Sequence, residues 1–161
     1  MGLGREIERK FLVQGDGWRT AQGLRYRQGY LSTEKARTVR VRLVESTANG
    51  EGWGYLTIKG QSSGASRAEY EYEIPVQDAR ELLTDLCHQP LIEKVRYTLT
   101  EGDATWEVDE FLGVNAGLIM AEIELDSVEQ TFARPPWLGR EVTDDPRYYN
   151  SNLVAHPFSR W

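Results

Sequence analysis

The stretch EIERKFLV, residues 6–13, places a charged side chain at every second position: Glu6, Glu8 and Lys10. Residues two apart in a β-strand point to the same side of the sheet, so this stretch predicts a strand with one charged face. Such a face is either solvated on an open sheet or enclosed inside a closed one. Which of the two applies decides the fold.

The same alternation recurs in six further segments of the chain. Their alternating charged residues are Arg40 and Arg42, Lys59, Glu69 with Glu71 and Glu73, Lys94 and Arg96, Glu107 and Asp109, and Glu122 and Glu124. A sheet with one solvated face explains any single segment best, with acids and bases paired across strands. Seven segments together favour a barrel of about eight antiparallel strands with its charged faces inside. Because unpaired buried charges are costly, such an interior should hold water or a charged ligand with its ions.

Period-two alternation and β-branched or aromatic residues predict eight strands. They span residues 5–14, 25–31, 38–46, 53–60, 67–76, 92–101, 104–111 and 118–126. Hairpin turns are predicted at ANG, residues 48–50, and EGD, residues 101–103. The chain shows no repeat and no low-complexity linker, so residues 1–161 are predicted to form one domain. The predicted fold class is α+β, mainly β: a closed eight-stranded antiparallel barrel with helices packed outside.

Capping signals predict the helices. Asp78 with Glu81, and Ser127 with Gln130, have capping-box spacing ahead of apolar residues and predict a helix each. Asp145 followed by a proline predicts the start of a third helix.

The composition limits the chemistry. Cys87 is the only cysteine, which excludes a disulfide within these 161 residues and a thiolate-rich metal site; it is predicted to be a small buried hydrophobe. His88 and His156 are the only histidines, and neither lies in a recognisable nucleophile setting. Any chemistry is therefore expected to rest on carboxylates, lysines and arginines.

Charge and hydropathy limit the partners. The net charge of −6 argues against a general nucleic-acid binder, because no basic stripe dominates. No run approaches the roughly 18 apolar residues of a membrane helix. The first residues lack the apolar stretch of a signal peptide, so a cytoplasmic protein is expected.

The alternating charges form a basic set and an acidic set. The basic set is Lys10, Arg40, Arg42, Lys59, Lys94 and Arg96. The acidic set is Glu6, Glu8, Asp109, Glu122 and Glu124. Arginines suit a bidentate grip on phosphate oxygens, and clustered carboxylates without histidine or cysteine suit Mg²⁺ or Mn²⁺. A polyphosphate, or the triphosphate of a nucleotide, together with divalent ions would satisfy both sets.

In EIERKFLV the chain carries the ExExK signature of the CYTH superfamily, the triphosphate tunnel metalloenzymes, and resembles that family over nearly its whole length. The matching segments are RQGYL at 27–31, TVRVRL at 38–43, LTIKG at 56–60, SRAEYEYEI at 66–74, EKVRY at 93–97, WEVDEF at 106–111, AEIEL at 121–125 and VTDDPRYYNSNL at 142–153. ExExK alone is a weak match, but these segments in this order are specific. The chain is most similar to the short bacterial members that hydrolyse inorganic triphosphate.

The resemblance implies an eight-stranded tunnel with helices outside, in which the basic set binds triphosphate and the acidic set holds Mg²⁺ or Mn²⁺. It further implies catalytic roles for Lys10 and Glu8. Three more residues match family positions, with cross-lumen salt bridges as an equal alternative: Arg67, Glu69 and Glu71. Glu73 and Glu107 are candidates for further lining residues. Tyr30 is a candidate gate of the tunnel mouth, although a packing role explains it at least as well.

Other activities in the same family stay open at this point. Class IV adenylate cyclases have an arginine after the two glutamates, where this chain has Lys10. A thiamine triphosphatase would want an aromatic platform; Trp53 and Trp106 are available, but alternation places Trp106 on the outward face. A nucleoside triphosphatase, or a non-catalytic sensor of polyphosphate or nucleotide, is a further alternative, although a sensor does not need the acidic set. The expected partner is a small polyphosphate, without nucleic acid or membrane, and a homodimer stays open.

Overall fold

The computed structural model describes residues 4–19 and 22–161 and contains nine strands. They are β1 (Arg5–Val13), β2 (Leu24–Ser32), β3 (Arg37–Ser46), β4 (Gly52–Gly60), β5 (Ser66–Ile74), β6 (Ile92–Glu101), β7 (Ala104–Phe111), β8 (Ile119–Glu124) and β9 (Leu138–Glu141). The first eight confirm the predicted strands, with boundaries that shift by one or two residues at most. The short β9 was not predicted, because its four residues, LGRE, have no alternating pattern.

Eight of the strands close into an antiparallel barrel, as predicted. The order is β5-β4-β3-β2-β6-β7-β8-β1, and β1 pairs back with β5 through Arg5↔Ala68, Glu6↔Arg67 and Ile7↔Ser66. β9 instead joins the second half of β1. Gly139 allows this approach, since a Cβ there would lie 2.8 Å from the carbonyl oxygen of Leu12.

Apolar residues cover the outside of the barrel. Trp106 is fully buried there, as alternation predicted, with its ring centroid 5.6 Å from those of both Phe11 and Trp137. On another side α1 (Val76–Asp85) buries Ala79 and Leu83 in a cluster that also contains residues of β3. Cys87 is buried in the same cluster, which confirms the prediction of a small core residue.

The helix predictions are correct only in part. α1 begins at Val76 behind Pro75, so Asp78 lies in its first turn rather than at its cap. The predicted helix after Ser127 does not form: Gln130 accepts a hydrogen bond from the backbone of Asp126 instead. About seven residues before the next proline are too few for a stable unsupported helix.

The third helix signal marks two short elements. Asp145 accepts a hydrogen bond from the backbone N–H of Arg147, as predicted for a cap, but the turn it caps is a 3₁₀ helix, Pro146–Tyr148. α2 (Asn150–Ala155) follows directly. None of the described helices is long and apolar enough to cross a membrane.

Residues 142–155, which we call the C-terminal segment, pack into one end of the barrel. The inward positions at this end are apolar or aromatic: Tyr30, Ile92, Phe111 and Met120. They form one cluster with four buried side chains of the C-terminal segment: Val142, Tyr148, Leu153 and Val154. The end is therefore filled by apolar side chains, and the polar side of the segment faces the charged interior.

Candidate active site

A cavity of about 470 Å³ occupies the barrel interior. All six residues of the basic set line it, together with Glu6, Glu8, Glu122, Glu124, Tyr30, Arg67, Glu69 and Glu71. Glu107 also lines the cavity, whereas Glu73 does not. Asp109 is 2% exposed and lies beneath the lining, bonded to lysine and arginine side chains. The structure thus brings the predicted site residues together around one space.

Lys94, Arg96 and Asp109 form a buried ionic group on β6 and β7. Arg96 donates from Nε and Nη2 to the two oxygens of Asp109 at 2.7 and 2.8 Å, and Lys94 Nζ lies 2.7 Å from Oδ2. Burial alone would raise the pKa of Asp109, but the two cations outweigh it and lower the pKa to about 2. The pKa of Lys94 is also lowered, to about 7, because burial and the charges of Arg96 and Arg42 outweigh the shared carboxylate.

The β3 wall carries two arginines whose positive charges are only weakly compensated by the described residues. Arg42 donates from Nε to the neutral amide oxygen of Gln28 at 2.9 Å. Burial, then the charges of Arg40 and Arg96, lower the pKa of Arg42 to about 10. Arg40 reaches Glu71 only at 3.5 Å, and its buried Nε has no partner among the described residues. This wall is therefore set up to attract an anion.

Lys10 lies between two carboxylates on the β1–β8 wall. Its Nζ is 2.7 Å from Glu122 and 3.3 Å from Glu8. Burial alone would lower the pKa of Lys10, but the two carboxylates outweigh it and raise the pKa. Lys10 is consequently held as a cation beside the acidic residues.

Arg67 and Glu69 take part in salt bridges with residues of neighbouring strands. Lys59 Nζ is 2.9 Å from Glu6 and 3.5 Å from Glu69, and Arg67 Nε is 3.4 Å from Glu6. Glu71 accepts a hydrogen bond from Thr57. Arg67 lies opposite Glu6, and Glu69 opposite Lys59, in the strand register, so these salt bridges join neighbouring strands rather than cross the lumen, and the roles of Arg67 and Glu69 stay predictions.

Glu8 and Glu124 are the carboxylates whose charges are least compensated. They are directly opposed on β1 and β8. The pKa of Glu8 is raised by burial and then by the charge of Glu122, and the pKa of Glu124 by burial and by Glu6 and Glu8. Oxygen ligands that repel one another fit a hard divalent cation, which would relieve the repulsion.

The remaining carboxylates of the acidic set fit a cation less directly. Within the part of the chain that the structure describes, no three acidic, histidine or cysteine side chains come together as a metal-binding group. Glu6, Glu122 and Asp109 are each turned toward basic partners. A cation bound at Glu8 and Glu124 would have to draw a third ligand out of one of these ion pairs.

Tyr30 is 5% exposed and touches both the cavity and the apolar cluster of the C-terminal segment. The packing of the ring in this cluster is enough to account for a tyrosine at position 30. The role of Tyr30 as a gate stays a prediction.

Neutral residues of the site were missed by the sequence analysis. Gln28 and Asn150 bond directly to members of the basic set. Tyr26 stacks against two of them, with the guanidinium carbons of Arg42 and Arg96 each 4.8 Å from its ring centroid. A search for alternating charges does not detect neutral side chains, although Tyr26, Gln28 and Tyr30 share one alternating face.

Comparison with known proteins gives one consistent result. The CYTH domain family model matches residues 4–151. An inorganic triphosphatase of Acetivibrio thermocellus is 53% identical over 160 residues, which cover 99% of both chains. An inorganic triphosphatase of Nitrosomonas europaea is 36% identical over 92% of this chain and 96% of its own. A crystal structure of an inorganic triphosphatase aligns with a TM-score of 0.60 and 33% identity, covering 92% of this chain and 96% of the other.

Proposed function

Since the chain belongs to the CYTH domain family, we propose that it hydrolyses inorganic triphosphate to pyrophosphate and phosphate with the help of a divalent metal ion. One observation carries the proposal: one wall of the cavity holds a buried arginine, Arg42, that has no anionic partner among the described residues, and another wall holds two directly opposed glutamates, Glu8 and Glu124. A triphosphate with a bound divalent ion would place negative charge beside the arginine and positive charge beside the glutamates.

The β3 wall would bind the substrate. Arg40 and Arg42 have guanidinium groups that bind phosphate oxygens in pairs. Lys94 and Arg96 face the same space from β6 and add positive charge near the C-terminal segment. Lys59 stands on the remaining side, where it would exchange part of its contact with Glu6 for the substrate.

Glu8 and Glu124 would hold the metal ion, with Glu6 or Glu122 as the third ligand. A bound Mg²⁺ or Mn²⁺ would neutralise phosphate oxygens and lower the pKa of an attacking water. Asp109 was also predicted as a ligand, but both of its oxygens bond to cations. We therefore propose that it holds Lys94 and Arg96 in place.

The reaction needs no covalent intermediate. Water attacks the terminal phosphorus, the bond from phosphorus to the bridging oxygen breaks, and pyrophosphate leaves. Glu8 would accept the proton of the water through the carboxylate oxygen that does not hold the metal ion. Lys10 lies 3.3 Å from Glu8 and orients the water or the leaving oxygen, while the surrounding cations stabilise the charge that spreads over the transferring group.

A larger triphosphate would meet several aromatic side chains in this site. Trp106 is buried on the outside of the barrel and is unavailable as a platform. Trp53 and Tyr55 line the cavity with Tyr26, Tyr30 and Tyr149 and are available to contact a thiamine or nucleoside group. A cytoplasmic location, one domain over residues 1–161 and the oligomeric state stay predictions.

A panel of phosphate-release assays tests the proposal. We expect tripolyphosphate to be cleaved faster than ATP or thiamine triphosphate with Mg²⁺ or Mn²⁺, and EDTA to abolish the activity. Pyrophosphate, the expected product, serves as the control substrate. Preference for ATP or thiamine triphosphate would overturn the substrate assignment. Calorimetry that showed binding of tripolyphosphate without turnover under any metal would favour the sensor.

A further inference from the structure

Asn150 connects the C-terminal segment to the cations of the site. It is the first residue of α2, and its Oδ1 accepts hydrogen bonds from Lys94 Nζ and from Gln28 Nε2, both at 2.9 Å. Gln28 is fully buried, and its own Oε1 accepts from Arg42 Nε at 2.9 Å. One side chain of the C-terminal segment therefore reaches two members of the basic set, one directly and one through Gln28.

The donors fix the orientation of both amides. Arg42 and Lys94 can only donate, so the Gln28 oxygen must face Arg42 and the Asn150 oxygen must face Lys94. The amide nitrogen of Gln28 then donates to the Asn150 oxygen. The amide nitrogen of Asn150 makes no hydrogen bond to the described residues, and the side chain lines the cavity. Its two N–H donors are therefore free for an anion.

The neutrality of the two amides matters as much as their geometry. An aspartate at position 150 would offer the same acceptor oxygen, but it would also neutralise Lys94 and repel a polyanion. An amide holds the lysine and the Gln28–Arg42 pair in place without adding negative charge to the site.

We propose that Asn150 is a positioning residue of the substrate site, which orients Lys94 and, through Gln28, Arg42 toward the phosphate chain. The proposal rests on the proposed function and adds the C-terminal segment to the binding site. Leu153, which is fully buried one turn later, and Val154 anchor the segment and so hold Asn150 in position.

Three variants test the assignment: Asn150→Ala, Asn150→Asp and, as a matched control, Asn152→Ala. Asn152 lies on the same helix and donates to the carbonyl of Pro146 at the exposed surface. The readouts are calorimetric binding of tripolyphosphate without metal, steady-state kinetics with metal, and thermal unfolding. The binding measurement does not depend on turnover.

We expect Asn150→Ala to weaken binding roughly tenfold and to raise KM more than it lowers kcat. Asn150→Asp keeps the acceptor, so its melting temperature should equal or exceed that of Asn150→Ala, yet its affinity should be the lowest of the three. Asn152→Ala should bind like wild type. If Asn150→Asp binds as wild type does, the residue serves only the packing of the segment and the proposal is wrong.

The failures of the two proposals differ. If the wild-type protein neither binds nor cleaves tripolyphosphate, the proposed function fails and this inference fails with it. If the wild type does both and Asn150→Ala is unchanged in Kd and KM, only the role of Asn150 is overturned.

Discussion

Arg42 and Arg96 both contact the ring of Tyr26, but their charges are compensated differently. Both guanidinium carbons lie 4.8 Å from the ring centroid of Tyr26. Arg96 is paired in bidentate fashion with Asp109, and although burial opposes it, that charge raises the pKa of Arg96 well above its usual value. Arg42 bonds to a neutral amide, and its pKa is lowered to about 10 by burial and by Arg40 and Arg96. The charge of Arg96 is thus balanced by a carboxylate, whereas the charge of Arg42 has no such partner among the described residues.

The acidic residues repeat this division. Asp109 has a lowered pKa because two cations hold it, whereas the pKa of Glu8 is raised by burial and by Glu122. We infer that Asp109 supports the barrel by holding Lys94 and Arg96 in place, whereas Glu8 on β1 and Arg42 on β3, whose charges are less compensated, mainly serve the ligand. A site of this kind gives up stability in the free protein for affinity. Substitutions on the two walls should then have opposite signatures.

Asp109→Asn should have the largest effect and should act on stability. The amide leaves Lys94 without its carboxylate partner and leaves Arg96 only the longer contacts to Glu107 at 3.3 Å and Glu122 at 3.9 Å. This change is expected to lower the free energy of unfolding by about 3–5 kcal/mol. Urea denaturation of the variant beside Asp103→Asn, in the exposed β6–β7 turn, measures the difference. A loss no greater than that of the turn variant would show that the β6–β7 group does not support the fold.

Glu8→Gln should have the next largest effect. It should lower the turnover number without lowering the stability of the protein. Loss of a proton acceptor and metal ligand should lower kcat at least roughly 100-fold. The urea concentration at the midpoint of unfolding should stay the same or rise, because the repulsion of the Glu8 carboxylate by Glu122 and Glu6 disappears. Glu129→Gln, on the exposed surface, is the control. Full activity of Glu8→Gln would remove Glu8 from the chemistry.

The same substitution at the two arginines, Arg42→Gln and Arg96→Gln, tests whether the first serves ligand binding and the second stability. Arg42→Gln is expected to weaken tripolyphosphate binding roughly tenfold while the free energy of unfolding stays level or rises. Arg96→Gln should destabilise the protein, because Asp109 loses its bidentate partner. Calorimetry and urea denaturation of both variants suffice. Equal stability losses in the two would mean that Arg42 has an anionic partner in solution.

The alternation of charges predicted the closed barrel because the rule that places residues i and i+2 on one face is local to each strand. It did not predict which charge meets which. The register between strands sets Arg96 opposite Asp109 but Glu8 opposite Glu124, and a single sequence does not contain that register. Asp109 and Glu8 were therefore both predicted as metal ligands, although the structure gives them different surroundings.

Two other parts of the molecule lay outside the reach of the sequence patterns. β9 has only four residues and is held by its contact with β1, where Gly139 lets the backbones approach. Asn150 belongs to the C-terminal segment and contacts Gln28 and Lys94, which are far from it in the sequence, only in the folded barrel. Long-range contacts of neutral residues leave no periodic signal in the sequence.

Glu141→Gln should have the smallest effect. It tests whether burial determines how much an arginine–carboxylate pair contributes to stability. Arg9 pairs with Glu141 through Nε and Nη2 at 2.9 and 2.6 Å, nearly the geometry of Arg96 with Asp109, but on the exterior. Partial exposure should limit the loss to about 0.5 kcal/mol. The hydrogen bonds from Arg9 lower the pKa of Glu141, so its contribution is present above the unfolded pKa near 4.5 and is lost as pH falls through the lowered folded value. Urea denaturation at neutral pH and again in acid should therefore show a difference from wild type that disappears in acid. A loss as large as that of Asp109→Asn would mean that geometry, and not burial, determines what these pairs contribute.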